Sequence, residues 1–452
     1  MNVDSRVEAI RSRVVNPICI VGTGYVGMAC MLGFAELGWP VNGYDILPER
    51  IRRLQRGIPP YREPGIEAAL LRNIETGIVS FYDDIDRAAR DAQVVIVAVG
   101  TPSRDDGSAD LTALRIAIER LSQVEFSMWP TIVIRSTVPP GTTDALARDV
   151  ETWADLVYAP EFLREGSAVA DFLNPDRIIV GSNEPRAAVT YVRLFERLQK
   201  PVVFTTRCNA ELIKCASNAF LALKISFANE VANMCDALGA TADDVLRGVG
   251  YDHRIGKDFL RPGIGFGGPC FEKDVKSMSH VASQYGLNGE LFGATLRVND
   301  AQPQRIVNML ESELSSLSGR TIGVWGLAFK AGTDDIRDSL ALRIVDEIGK
   351  RGARVNVFDP AVRVAPLPIG SSFVRSALEA TECDALLVLT EWPEFARIDP
   401  LEYARNIRRR IVVDGRNLLD PTRVAAAGLR YRGVGISATP QSEFSQSVMV
   451  RL

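Results

Sequence analysis

Residues 17–27 read Pro17-Ile-Cys-Ile-Val21-Gly22-Thr-Gly24-Tyr-Val-Gly27, and small and apolar residues continue at helical spacing to Leu37 and Gly38. A short apolar run, a glycine turn and a helical pattern predict strand, tight turn and helix. Glycines at positions 22, 24 and 27 suit a sharp turn, a close backbone approach to a diphosphate and tight helix packing. A second apolar run, Pro40 to Tyr44, ends in Asp45. A carboxylate at that distance down the chain is placed to grip the ribose 2′-hydroxyl of NAD, and its charge would repel the 2′-phosphate of NADP. A glycine turn on an ordinary α/β unit is the alternative, and Asp45 counts against it.

Outward from there, Ala92 to Val99 leads into Gly100-Thr101-Pro102, and Ile132 to Arg135 precedes Ser136-Thr137-Val138-Pro139-Pro140-Gly141. Further strand and helix signals run to Val203-Phe204, the alternation expected of a parallel sheet. No Pro or Gly interrupts Asn209 to Leu238, which reads as one long helix, a connector and dimer spine. Ala240 to Gly293 is mixed, with shorter helices. From Arg320 the opening plan returns, with strands at Thr321–Trp325 and Val355–Phe358, a helix at Leu340–Lys350, Asp359 after the second strand, and Asp384 to Thr390 echoing Ala92 to Val99. The expected fold class is α/β, with two Rossmann-like doubly wound domains joined by a central helical domain holding one long helix. The expected boundaries are 1–205 for NAD binding, 206–315 for the helical and dimerisation domain, and 316–452 for the second Rossmann-like domain. The polar tail after Ser437 reads as loosely ordered.

A chain of 452 residues with 46% hydrophobic content can bury sizeable cores, and its net charge of -4 comes without long runs of one sign. That pattern excludes the electrostatic footprint of a nucleic-acid or membrane-surface binder. Met1 to Asn16 lacks the apolar core of a signal peptide and no apolar run reaches membrane-span length, so a cytoplasmic location is expected. Seven cysteines without a C-x-x-C pair suggest reduced thiols rather than a disulfide framework or zinc site. With only His253 and His280, no metal site is expected and acid-base work falls to Lys, Asp and Glu.

The chemistry concentrates in Gly263-Ile-Gly-Phe-Gly-Gly-Pro-Cys270-Phe-Glu-Lys-Asp274. A glycine-rich loop sets Cys270 at the mouth of a helix beginning near Phe271, where the helix N-terminus favours a thiolate. Lys273 and Asp274 follow on the same helical face. By itself the stretch also suits a buried structural cysteine beside a turn. Lys214 and Asn218 lie four apart on the long helix, with Glu211 three before Lys214, a pattern that fits a solvated face or a cleft holding a hydroxyl and water. Glu161 follows a strand end, where ligands bind in open α/β sheets, or caps a turn. Lys330 and Arg337 flank a glycine turn and Arg416 ends another strand; these cations suit a diphosphate or surface salt bridges.

These blocks, with Pro160-Glu161-Phe162-Leu163-x-Glu165-Gly166, Asn174-Pro-Asp-Arg177, Ala328-Phe-Lys330 and Asp414-Gly-Arg416, resemble the UDP-glucose/GDP-mannose family of nucleotide-sugar dehydrogenases over about Pro17 to Asn417. The resemblance implies NAD-dependent four-electron oxidation of the C6 hydroxyl of a nucleotide-linked glucose, UDP-glucose foremost, to the uronic acid. It implies Cys270 as nucleophile through a thiohemiacetal and thioester, Lys214, Asp274 and Asn218 handling the hydroxyl proton and water, Glu161 assisting hydrolysis, and Thr137 beside them. It implies cofactor contacts from Gly22, Gly24, Tyr25, Val26, Gly27, Asp45, Arg50, Thr101, Thr137, Glu165, Lys273 and Arg337. Substrate contacts fall to Glu161, Phe162, Leu163, Lys214, Asn218, Phe259, Gly267, Lys330 and Arg416, with Arg254 reaching across a homodimer or larger even assembly. Pro269 and Glu272 stand where the family commonly has Ser and Pro. The Gly-Gly-His-Cys variant of relatives acting on N-acetylated sugars is absent, which favours a glucose-type sugar. dTDP-glucose or GDP-mannose remains open as substrate, as do a two-electron hydroxyacid dehydrogenase and a catalytically silent sensor of the same ligands.

Overall fold

The computed structural model describes residues 16–436, so the expectation for the tail after Ser437 lies outside them. The chain divides into two compact units. One runs to Ser217 and takes in His280–Leu287; the other takes Asn218–Ser279 and the chain from Asn288 on.

In the first unit eight strands form one sheet: β1 (Ile18–Val21), β2 (Val41–Tyr44), β3 (Val79–Tyr82), β4 (Val94–Val97), β5 (Thr131–Ile134), β6 (Asp155–Tyr158), β7 (Ile178–Gly181) and β8 (Val202–Thr205). Their order is β3-β2-β1-β4-β5-β6-β7-β8, parallel except where β7 meets β6 antiparallel at Gly181 and Tyr158. β1, β4 and β5 are buried at every position, as strands with helices on both faces must be, which is why their apolar runs are unbroken in the sequence.

The second unit repeats the plan with β9 (Thr321–Trp325), β10 (Arg354–Phe358), β11 (Ser372–Phe373), β12 (Ala385–Val388), β13 (Ile411–Asp414) and β14 (Arg430–Gly433), ordered β11-β10-β9-β12-β13-β14. Both sheets therefore carry the doubly wound order 3-2-1-4-5-6, whose reversal beside the first strand is the ligand-binding crevice of such folds. The echo extends to single residues. Gly22 after β1 and Gly326 after β9 share a φ of +94°, and the acid ending each second strand turns back to the loop after that glycine. Asp45 Oδ2 accepts the Thr23 N–H, and Asp359 Oδ2 accepts those of Leu327 and Ala328.

The long helix is Arg207–Leu238, 32 residues and about 48 Å at 1.5 Å per residue, and it carries the chain from the first unit into the second. Phe271–Gln284 forms the helix expected beyond Cys270. Glu290–Leu314 is a further helix that continues through Pro303. Among the described residues, no helix is long and apolar enough to cross a membrane.

Candidate active site

The glycine loop of the first unit is shaped by contacts that exclude side chains. A Cβ on Gly27 would lie 1.8 Å from the Gly22 carbonyl oxygen, and one on Gly22 would lie 2.8 Å from that of Ala98. Nothing stands within 4 Å of a Cβ built on Gly24, so the N-terminus of the helix Tyr25–Glu36, which has no side-chain cap, opens onto space. Open backbone N–H groups at a helix N-terminus suit a diphosphate, so the loop fits a dinucleotide. Asp45 is more committed than a bare hook for ribose. It is 4% exposed, its Oδ2 accepts from the Thr23 N–H, the Thr23 hydroxyl and Arg50, and its Oδ1 accepts the Leu47 N–H at 3.1 Å. Oδ1 is the atom with most acceptor capacity left for a ribose hydroxyl.

Around that crevice, Val26 packs into the core under the sheet, and the Tyr25 ring lies against Tyr61 with its hydroxyl donating to Glu63. Burial and the carboxylates of Glu63, Glu165 and Glu161 push the Tyr25 phenol far above its ordinary range. Thr101 Oγ1 donates to the Thr137 carbonyl at 2.6 Å and ties the ends of β4 and β5 together.

Glu161 follows β6 and is buried. Its Oε1 accepts from Lys214 Nζ at 3.0 Å and its Oε2 from the Leu163 N–H at 2.6 Å. Burial raises the Glu161 carboxyl, but the Lys214 ammonium, the Leu163 N–H and the Arg135 guanidinium outweigh it and hold the group below the usual carboxylate range. Lys214 Nζ also lies 5.2 Å from the Phe162 ring centroid, and the Arg177 guanidinium 4.0 Å. Lys214 is 4% exposed, which removes the solvated-face reading. Glu211 instead serves the fold: fully buried, it accepts the N–H groups of Gly141 and Thr143 and caps the helix Thr142–Val150.

In the second unit Cys270 is exposed and stands directly before the helix Phe271–Gln284, whose Asp274 N–H donates to the Cys270 carbonyl at 3.0 Å. The buried structural cysteine is therefore not what the fold contains. Asp274, 2% exposed, accepts from Asn218 Nδ2 at 2.6 Å and pairs with Lys273. Glu272, in the first turn of the helix, pairs with Lys276 at 2.6 Å. The loop before Cys270 is held by two asparagines that the sequence reading missed. Asn229 accepts the Gly263 N–H, and Asn299 both accepts from the Phe266 N–H and donates to its carbonyl, as a neighbouring strand would. Gly265, at φ +103°, comes so close that a Cβ would lie 2.4 Å from Asn299 Oδ1. A Cβ on Gly268 would meet the Phe329 ring at 2.6 Å, and one on Gly267 the Asp338 carbonyl at 2.5 Å. A run of glycines is the only local sign of such crowding.

Arg416 donates to the carbonyls of Leu389, Phe329 and Gly265 and pairs with Glu391 at 3.2 Å, so it staples the cysteine loop to the ends of the second sheet and also makes a salt bridge. Lys330 Nζ lies 5.8 Å from the Phe329 ring centroid, and Phe259, at φ +62°, faces Phe271 at 6.1 Å. Arg254 and Arg337 each fold back on the acid two residues earlier, Asp252 and Asp335, and both are largely exposed. The structure thus brings Glu161 together with Lys214, and Asn218 with Asp274. Lys273 and Arg337 lie in the second unit, whereas the glycine loop lies in the first.

Comparison with known proteins matches this arrangement over most of the chain. Residues 16–199 match the NAD binding domain of the UDP-glucose/GDP-mannose dehydrogenase family, 208–301 its central domain and 323–421 its UDP binding domain. The chain is 38% identical over 438 residues to UDP-glucose 6-dehydrogenase TuaD of Bacillus subtilis, covering 94% of each chain. It is 39% identical over 440 residues to UDP-glucose 6-dehydrogenase of Pseudomonas aeruginosa, covering 92% of this chain and 97% of the relative. A solved UDP-glucose dehydrogenase from Pyrobaculum islandicum superposes with a TM-score of 0.87 at 38% identity, over 94% of this chain and 99% of the other. The chain belongs to the UDP-glucose/GDP-mannose dehydrogenase family.

Proposed function

We propose that the protein oxidises the C6 hydroxyl of UDP-glucose to the carboxylate of UDP-glucuronate, with NAD as oxidant. The observation that carries the chemistry is an exposed Cys270 at a helix N-terminus, one turn before an Asp274 already hydrogen-bonded to Asn218. NAD, when bound, supplies the hydride acceptor, and a four-electron oxidation consumes two of them. Asp274, held by Asn218, takes the C6 hydroxyl proton as the alcohol becomes an aldehyde, while the Lys214 ammonium steadies the negative charge that grows on that oxygen. Cys270 Sγ then forms a bond to C6, giving a thiohemiacetal whose oxidation leaves a thioester. Glu161 orients and deprotonates the water that breaks the C–S bond, releasing the acid and restoring the thiol. Lys330 and Arg416 belong to the nucleotide end, Arg416 through the loop it staples. The division at 205 and 315, the homodimeric state and a cytoplasmic site of action complete this reading.

Counting NADH tests it across UDP-glucose, dTDP-glucose, UDP-N-acetylglucosamine and GDP-mannose. Two NADH per sugar, with UDP-glucose the best substrate, is the expected result. One NADH per substrate would show a two-electron dehydrogenase, and tight binding without turnover a sensor. A methyl group separates dTDP from UDP and discriminates by only about 1–3 kcal/mol, so the panel must report kcat/KM rather than yield alone.

A further inference from the structure

Arg135 stands directly before the Ser136-Thr137 block, at the carboxyl end of β5, and has no role in the chemistry above. It is 7% exposed, and its Nη1 donates to the carbonyls of Ala159 and Pro160 and to the Tyr191 hydroxyl at 3.2, 3.1 and 3.0 Å. Its Nε has no hydrogen-bond acceptor, although the Cys30 thiol is close enough to act on its charge. A buried guanidinium held by neutral groups, the three oxygens and the Cys30 thiol, is costly, and an apolar side chain would fill the same space at less cost. Two features give the charge a use. Ala159 and Pro160 are the residues that lead into Glu161, so the guanidinium fixes the backbone from which that carboxylate projects. Glu161 is also the carboxylate whose charge bears on Arg135.

Several groups face Glu161. Lys214 approaches from the long helix and Arg135 from β5, Tyr25 and Cys30 act from the glycine-loop helix, and the Leu163 N–H comes from its own loop. Of the two cations, Lys214 turns to the reacting oxygen in the reaction proposed above, whereas the guanidinium of Arg135 stays on the peptides that lead into Glu161 and keeps its charge at every step. We propose that Arg135 is a positioning residue for the hydrolytic half of the reaction: it holds the peptides that present Glu161 and supplies the positive charge that stays constant while Lys214 changes partners. The inference rests on the reading that Glu161 serves thioester hydrolysis.

The test follows acyl-enzyme hydrolysis against pH in the full-length protein, by pH-jump and intact mass, for wild type, Glu161→Gln, Arg135→Gln and Arg135→Lys. Arg135→Gln keeps hydrogen-bond donors but loses the charge. Its acid limb should move up by about half a unit to one unit, which slows hydrolysis about three- to tenfold on that limb while the burst of two NADH is unchanged. Arg135→Lys should bring the limb back toward wild type, a rescue that a purely structural role would not give. If Glu161→Gln accumulates acyl-enzyme but the limb of a folded Arg135→Gln does not move, the inference about Arg135 is wrong and the role of Glu161 stands. If Glu161→Gln accumulates none, the role of Glu161 fails and takes Arg135 with it. Should Arg135→Gln not fold, Arg135→Met, which fills the same space without charge, takes its place: a limb raised by about half a unit to one unit supports the inference and an unmoved limb overturns it.

Discussion

In the proposed reaction Cys270 forms the bond to C6 and Glu161 serves the hydrolysis that breaks it. Their separate places in the reaction give separate failures. Cys270→Ala should lose formation of the acid while still binding NAD and sugar. Glu161→Gln should release about two NADH per site in a burst and then stall, with the sugar nucleotide attached at Cys270 by intact mass. A Glu161→Gln enzyme without burst or adduct would move the hydrolytic role to Asp274. The charge on Glu161 also has a stability consequence. Its carboxyl is depressed in the fold, so the Lys214 pair stabilises the native state above the unfolded value of about 4.3 and loses that contribution as pH falls through the lower folded value. We expect Asp45 to carry the preference for NAD over NADP. A 2′-phosphate would meet a buried carboxylate, and like charges in contact cost several kcal/mol, so kcat/KM with NADP should fall at least about a hundredfold below that with NAD. Comparable values for the two cofactors would refute this.

Elements were legible where the sequence is locally consistent. The strands ending at Val21, Tyr44, Trp325 and Phe358 follow from apolar runs closed by Gly or Asp, and the long helix from a stretch without Gly or Pro. Strand ends are less exact: Val94–Val97 lies within the run Ala92 to Val99, Thr321–Trp325 is as expected, and Arg354–Phe358 is one residue longer than Val355–Phe358. The helix Glu290–Leu314 was not legible, since Pro303 argues locally for an end. Packing overrides it: Ile306, Val307, Leu310 and Leu314 beyond the proline all enter the core of the second unit. That helix carries Asn299, whose bonds to Phe266 join positions 33 residues apart, a link that no local pattern announces. Asn299→Ala would strip both backbone groups of Phe266 of partners in a buried place, at about 1–3 kcal/mol each. We expect a marked drop in thermal stability and, in protein that remains folded, slower thioester formation with near-normal NAD affinity. Unchanged stability and rate would show that the loop holds its shape without the asparagine.

At the scale of the whole molecule, the long helix carries a surface that no other described residue covers. Phe220, Phe227 and Met234 are 61%, 48% and 58% exposed and recur every seventh residue, with Leu238 at 76% beyond them. A seven-residue apolar repeat stays on one side of a helix that pairs with another, and contiguous exposed apolar surface of this kind marks an interface. Charge decides the form of the test, because a carboxylate introduced into such a seam must be desolvated without a partner. Phe220→Glu with Phe227→Glu should therefore turn a dimer into a folded monomer by analytical ultracentrifugation, leaving the NAD affinity of the first unit intact. If Arg254 of each copy serves the partner's substrate, that monomer should also lose substrate affinity. Pairing an Arg254→Ala subunit with an otherwise intact subunit bearing Cys270→Ala separates the cases. Arg254 acting across the interface leaves the only intact cysteine in a site served by the partner's arginine, and activity survives; Arg254 acting within its own subunit leaves every site deficient, and activity is lost. An unchanged sedimentation coefficient for the double glutamate variant would remove the helix as the seam and leave the mixed pair to decide the place of Arg254.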